Sequence, residues 1–168
     1  EISGEVEDIE SQLMQESELE NRREDIQVEL EALRTKVDEL ERDAVSKFND
    51  HMGELLEILE YDNLERVWIE RRNGEGRKGR RSPSDSRFDL HVVRTSESGA
   101  AYEDTVDHLS ESEREVVGLV FALAGYLVHA VHEELPFVLL DSLEAIDANR
   151  LDALIGYFSG YAEYLVVA

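Results

Sequence analysis

The chain has 168 residues, enough for one globular domain plus an extension, and carries 40 acidic against 17 basic side chains, a formal net charge of −23. Without cysteine it has neither a disulfide framework nor a thiolate metal site. Only three cations are lysines (Lys36, Lys47, Lys78) and 14 are arginines. High acid content with scarce lysine suits a surface whose self-repulsion is screened in concentrated salt. The rival reading is an acidic face for basic partners; the spread of the acid along the chain favours salt adaptation. The chain shows no initiator Met and no charged-then-apolar leader, begins inside a helical pattern and ends on an apolar run, which suggests a fragment; the expected location is the cytoplasm.

Residues 1–49 read as a coiled-coil arm. Ile26, Leu30, Leu33, Val37, Leu40 and Ala44 alternate spacings of four and three, the apolar seam of a heptad repeat, with charge at most positions between. Ile2, Val6, Ile9 and Leu13 keep that spacing upstream, whereas Glu16 and Glu20 fall on the seam and predict a register slip. Over residues 1–60 there are 20 acidic and 6 basic side chains, so the arm needs a partner helix to be stable. The alternative is one amphipathic helix lying on a globular body. The helical pattern continues through Phe48 to Leu59, with Gly53 as an expected break.

A strand is predicted at 63–71 from Leu64, Val67, Trp68 and Ile69, and a second at 87–94, where Phe88, Leu90 and Val92 alternate with Asp89, His91 and Val93. They make an antiparallel pair closed by a long loop. Arg71, Arg72, Arg77, Lys78, Arg80, Arg81 and Arg87 place seven of the 17 cations around that loop, against Glu75 and Asp85. A cationic loop in an acidic chain is a candidate DNA contact through phosphates, with strong salt sensitivity. The alternative is a solvated loop pairing with the acidic coil.

Residues 96–100 read as a turn. A long buried helix is expected from Glu111 to about Glu133, a strand at 136–140, a helix at 148–160 capped by Asp147, and a strand at 164–167. Val116 to His132 is nearly all apolar, at the short limit of a membrane span, but its flanks are acidic on both sides, so a helix buried on all sides is the better reading and no membrane is expected. Helix, strand, helix, strand is the order of a parallel α/β unit, with ligand chemistry at strand carboxyl ends. His129 and His132 lack the His-Glu-x-x-His spacing of a zinc protease and are read as packing or helix-end residues.

Two short segments carry the candidate chemistry. Ser110 followed by Glu113 is a capping box at a helix start, whose free N–H groups also suit a phosphate. The apolar run Phe137 to Leu140 ends in Asp141, by itself a strand-end carboxylate. Together, Leu109-Ser110-Glu111-Ser112-Glu113-Arg114 resembles the Leu-Ser-Gly-Gly-Glu signature loop of ABC and SMC-type ATPases, with Glu111 and Ser112 in place of the glycines. The second segment resembles their Walker B strand, with Ser142 where most members have Glu, and Ala145-Ile146-Asp147 resembles their D-loop.

The order coiled coil, signature, Walker B and D-loop is similar to the C-terminal half of the archaea-specific SMC-related proteins, and the acidic, lysine-poor composition suits a haloarchaeal member. The implied fold is α/β, the C-terminal lobe of an ABC/SMC-type ATPase head (50–168) behind a coiled-coil arm (1–49), with a hairpin and Arg-rich loop at 64–94, a signature helix at 109–133, a Walker B strand at 136–141 and a D-loop at 142–147. The implied ligands are ATP and Mg²⁺. Leu109, Ser110, Glu111, Ser112, Glu113 and Asp147 would then face nucleotide across a second head, Asp141 would hold Mg²⁺ through water, and Glu144 or Ser142 would assist the attacking water. The implied partners are an N-terminal lobe of the same protein and a second head, because no Gly-rich Walker A loop occurs in these residues. The resemblance implies chromosome organisation or DNA repair as the task. The alternative is a non-hydrolysing acidic coiled-coil tether with a degenerate head.

Overall fold

The computed structural model describes residues 2–61, 63–73, 86–96, 98–141, 143 and 146–168. Helix α1 (Ile2–Leu59) is followed by strands β1 (Leu64–Asn73), β2 (Ser86–Thr95) and β3 (Ala101–Asp104), and a 3₁₀ turn at Val106–His108. Helix α2 (Glu111–Val128), the short α3 (Val131–Glu134), β4 (Phe137–Leu140), α4 (Ala148–Phe158) and β5 (Tyr164–Val167) complete the order.

Helix α1 is unbroken over 58 residues, about 87 Å at 1.5 Å per residue. Its outer part exposes the seam: Val6, Ile9, Leu13, Ile26, Leu30, Leu33 and Leu40 all stand in solvent. The last three turns behave differently, because Met52, Leu55, Leu56 and Leu59 recur at one-face spacing and are buried. Gly53 therefore does not break the helix. A helical glycine costs about 1 kcal/mol, less than the burial of the three leucines and the methionine around it contributes.

Strands β1, β2 and β3 form an antiparallel sheet in that order. Trp68 lies opposite His91 and Val67 opposite Val92, so Leu64, Val67 and Val92 face the core. Strand β3 adds to the expected pair; Ser96 and Ala100 close the turn before it through a 2.9 Å backbone bond, with Gly99 at φ +78°. Edge strand β1 is tied to α1 by Asn49, whose side-chain amide donates to Ile69 O (3.0 Å) and accepts from Ile69 N (2.7 Å). This satisfies edge groups that a lone ladder leaves unpaired.

Helix α2 ends at Val128, not near Glu133, because Ala130 takes a left-handed conformation (φ +48°) and the chain restarts as α3. Nor is it buried all round. Val116, Val117, Val120, Leu123, Ala124 and Leu127 form its core face, while Gly118, Phe121 and Ala122 are exposed. Among the described residues no helix is long and apolar enough to cross a membrane. Strands β4 and β5 pair in parallel, with Phe137 opposite Tyr164 and Leu140 opposite Val167, across the crossover helix α4. The mixed helix-and-sheet architecture on a long helix is the α/β arrangement expected. One core joins the foot of α1, the inner face of the antiparallel sheet, α2, Val138 and Leu140 of β4, and Leu154 and Phe158 of α4.

Candidate functional site

Ser110 opens α2 in extended conformation (φ −61°, ψ 165°), and the capping box is fully formed. Its hydroxyl donates to Glu113 Oε2 at 2.7 Å, its amide donates to the same oxygen at 2.8 Å, and Glu113 N donates back to Ser110 Oγ at 3.3 Å. Glu113 is 2 % exposed, yet both its oxygens are satisfied, because Arg94 of β2 donates to Oε1 at 2.8 Å. Burial alone would raise the Glu113 carboxyl; the Ser110 hydroxyl and amide, with Arg94, outweigh it and hold the group below its ordinary range. Leu109 is buried too. Leu109 and Glu113 thus shape the loop from within, while Ser110 and Glu111 reach solvent and Ser112 is half-buried.

Arg94 also donates to Asp104 Oδ2 at 3.0 Å, and Asp104 Oδ1 takes the amide of Thr105 and Nδ1 of His108, each at 2.8 Å. The bond from Thr105, then those from His108 and Arg94, hold the Asp104 carboxyl below its usual value. Neither Arg94 nor Asp104 is marked by local sequence spacing.

Asp141 is exposed at the carboxyl end of β4, where an open parallel sheet places ligand chemistry. Ser142 and Glu144 lie outside the described residues. Asp147 caps α4 as expected, with Oδ1 accepting from Asn149 N (2.9 Å) and Arg150 N (3.1 Å), while its Oδ2 lies 3.2 Å from Arg150 Nε. Helix α2 begins with first-turn N–H groups that helix geometry leaves without intrahelical acceptors, the donor chemistry of a phosphate site, while the Ser110 hydroxyl gives its proton to Glu113. A carboxylate such as that of Asp141 is the oxygen-ligand type a hard cation takes. Glu111 adds an exposed negative charge beside that helix start. Among the described residues no cluster of three or more His, Asp or Glu forms a ready cation cage. His132 packs between Tyr126 and Tyr161.

Of the candidate DNA contacts, Arg77, Lys78, Arg80 and Arg81 lie outside the described residues. Arg71 does not point to solvent. Its side chain is 9 % exposed, pairs with Asp38, and donates through Nε to Glu41 Oε2 at 2.8 Å, and Ser86 Oγ joins the cluster by donating to Glu41 Oε2 at 2.8 Å. Burial lowers the pKa of that guanidinium, and hydrogen bonds to Asp38 and Glu41 more than reverse it. Arg72 is exposed but paired with Glu70 (2.8 Å) and Asp89 (3.2 Å).

The fold is a long helix rooted in a mixed helix-and-sheet lobe, with a capped helix start and a parallel strand ending at Asp141. No protein-family model matches the chain. Among solved structures it is similar to the Smc head domain with a coiled coil and joint from Pyrococcus yayanosii, over 89% of this chain and 28% of that one, at TM-score 0.51 and 20% identity. It is also similar to the Pyrococcus furiosus Smc head with an extended coiled coil, solved bound to the C-terminal domain of ScpA (90% and 37% covered, TM-score 0.50, 20% identity). These likenesses establish the fold.

The relatives by sequence are nearer. The chain is 59% identical over 138 residues to the Smc-like protein Sph3 of Haloferax volcanii, and 58% identical over 144 residues to Sph2 of Halobacterium salinarum. These alignments cover 82% and 83% of the chain, which spans about a fifth of the length of either relative (21% and 22%). The chain belongs to the haloarchaeal Smc-like proteins.

Proposed function

We propose that residues 50–168 are the C-terminal lobe of an SMC-type ATPase head, that residues 1–49 are its coiled-coil arm, and that an N-terminal Walker A lobe of the same protein completes the head. One observation carries this reading. The β4–β5 pair buries Val138 and Leu140 but turns Phe137, Leu139, Tyr164 and Val166 to solvent. Parallel sheets are stable when both faces are covered, so this pair fits a sheet whose second face is covered by another lobe. Asp141 stands at the carboxyl end of β4 beside that face.

ATP with Mg²⁺ supplies the scissile phosphate bond and the charge that joins two heads. On this reading Ser110 and the first N–H groups of α2 face the terminal phosphate held by the second head, and Asp141 holds Mg²⁺ through water. Glu144, or a water relayed by Ser142, orients the attacking water, and Asp147 lies at the head interface. The protein then acts in the cytoplasm on chromosome structure or DNA repair, with Arg77, Lys78, Arg80 and Arg81 as DNA contacts. Mixing the chain with the N-terminal lobe is expected to create ATP hydrolysis that Asp141→Ala abolishes; turnover that survives this substitution would sink the assignment.

A second reading has its own observation. Glu111 exposes a carboxylate in the first turn of α2, where a phosphate would approach, and Ser142 replaces the usual Glu. Both favour a tether whose heads dimerise on ATP without hydrolysing it. Dimerisation of the assembled head on ATP, with no phosphate released, would select it.

A further inference from the structure

Three elements far apart in sequence meet at the foot of α1. Glu60, just past the helix, sits at φ +42°, a left-handed conformation disfavoured for any residue with a Cβ. Its amide still closes the helix onto Leu56 O (3.1 Å), while its carbonyl accepts from Arg150 Nη2 at 2.7 Å, across 90 residues. Arg150 also pairs with Asp147 and stands over the Tyr61 ring, 5.6 Å from its centroid. Tyr61 in turn donates its hydroxyl to Ser112 Oγ at 3.2 Å, across 51 residues, and Ser112 Oγ lies 3.3 Å from Ser110 Oγ.

The contacts run in series: Asp147 to Arg150, Arg150 to the Glu60 carbonyl and the Tyr61 ring, Tyr61 to Ser112, Ser112 to Ser110. Each link is polar or cation–π, and together they join α4 to the foot of α1 and that foot to the start of α2. A backbone strain at Glu60 persists only where surrounding contacts hold it, and here those contacts are the Arg150 bond and the packing of Tyr61. We propose that Tyr61 and Arg150 are positioning residues that fix the start of α2 relative to Asp147 through the end of the long helix. The two loops that face the head interface then move as one body with α1. The role given to those loops rests on the ATPase reading above; the mechanical link itself does not.

The test uses amide hydrogen exchange on the intact protein without nucleotide. Tyr61→Phe removes one hydroxyl and keeps the ring, and Arg150→Gln removes the charge and its pairing with Asp147. Each is expected to speed exchange at the Glu113 and Arg114 amides, which close the first turn of α2, by about three- to ten-fold, the effect of one lost hydrogen bond. The double variant exceeds the larger single by less than about two-fold, because links in series fail together. Arg150→Lys, which keeps a donor for Glu60 O, restores most of the protection.

Amides of the β2–β3 ladder, such as Val93, serve as the reference. Exchange at Glu113 and Arg114 that Arg150→Gln leaves unchanged would overturn the link, and so would a rise at Val93 of the same size. A parallel measurement with Mg·ATP on the intact unsubstituted protein separates the two readings. If Mg·ATP gives the Arg114 amide no added protection while the exchange series holds, the ATPase reading fails and the positioning link stands. If Mg·ATP protects Arg114 and the series fails, the link alone is overturned.

Discussion

Arg94 and Glu113 lock the antiparallel sheet to the first turn of α2: Nη2 of Arg94 donates to Oε1 of Glu113 at 2.8 Å, and Glu113 is 2 % exposed. The pair decides whether the Ser110 loop is a stable object. Glu113 gives its other oxygen to Ser110, so the orientation of the loop depends on a guanidinium from a strand 19 residues earlier. Removing Arg94 leaves the buried Glu113 carboxylate with the Ser110 bonds alone and no opposite charge.

Arg94→Ala is therefore expected to cost about 3 kcal/mol of unfolding free energy, read by urea denaturation. Glu113→Gln should cost less, because the amide keeps an acceptor for the Ser110 hydroxyl while discarding the buried charge. The pH dependence follows from the directions of the shifts. Glu113 and Asp104 are both held below their ordinary 4.5 and 3.8, so their stabilisation is complete above those values and is lost as pH falls through the lowered ones. Stability measured from about pH 6 down to about pH 2 should drop, and Glu113→Gln should flatten that drop. An unaltered acid limb in the Gln variant would count against the pair as its source.

Arg71 and Arg72 are neighbours with separate tasks. Arg71 holds β1 to α1 through Asp38 and Glu41, whereas Arg72 makes exposed pairs along the sheet. Arg71→Gln is expected to lower stability by about 2 kcal/mol and Arg72→Gln by less than about 0.5 kcal/mol. If the loop binds DNA, neutralising Arg77, Lys78, Arg80 and Arg81 together should flatten the dependence of log affinity on log salt, by about 0.9 for each phosphate the loop no longer neutralises. Arg71→Gln should leave that slope unchanged. A slope that responds to Arg71 would return that residue to the DNA-binding set.

What can be read from the sequence is what repeats locally. The heptad seam, the alternation at Phe88, Leu90 and Val92, and the Ser110–Glu113 spacing all lie within a few residues of themselves, and each predicts its element. The grips that orient the candidate site are hidden. Asn49 to Ile69, Tyr61 to Ser112 and Arg150 to Glu60 span 20, 51 and 90 residues, and nothing in local spacing marks such pairs. Strand β3 is silent in the sequence because Ala101, Tyr102 and Glu103 are exposed and leave no alternating pattern. The end of α2 is illegible because Val128 to Val131 stays mostly apolar through the break, and apolar periodicity does not encode a left-handed turn.

That turn offers a stability test. Ala130 stands two residues past the last residue of α2 at φ +48°, ψ 34°, where helices commonly end on glycine. Ala130→Gly is expected to raise stability by about 0.5–1 kcal/mol, the relief of the left-handed penalty less the added freedom of the unfolded chain. Thermal unfolding reads it as a higher midpoint. A lower midpoint would mean that the alanine methyl contributes more by packing than its left-handed backbone costs.

The exposed face of the β4–β5 pair allows the assembly to be tested apart from the chemistry. Leu139 is 58% exposed and Tyr164 59%, and neither contributes to the buried core of this lobe. Leu139→Arg should leave the unfolding curve of the chain within about 0.5 kcal/mol of the original, as surface substitutions do. If the N-terminal lobe packs over this face, the same substitution buries an unpaired guanidinium in the junction. Association of the two lobes, followed by calorimetric titration, should then weaken by at least about 30-fold, the scale of a central interface residue. Phe121, exposed on α2, supplies the control, and Phe121→Arg should leave association near its original strength. Equal losses from both substitutions would place the junction elsewhere, and no loss from Leu139→Arg would leave the β4–β5 face outside it.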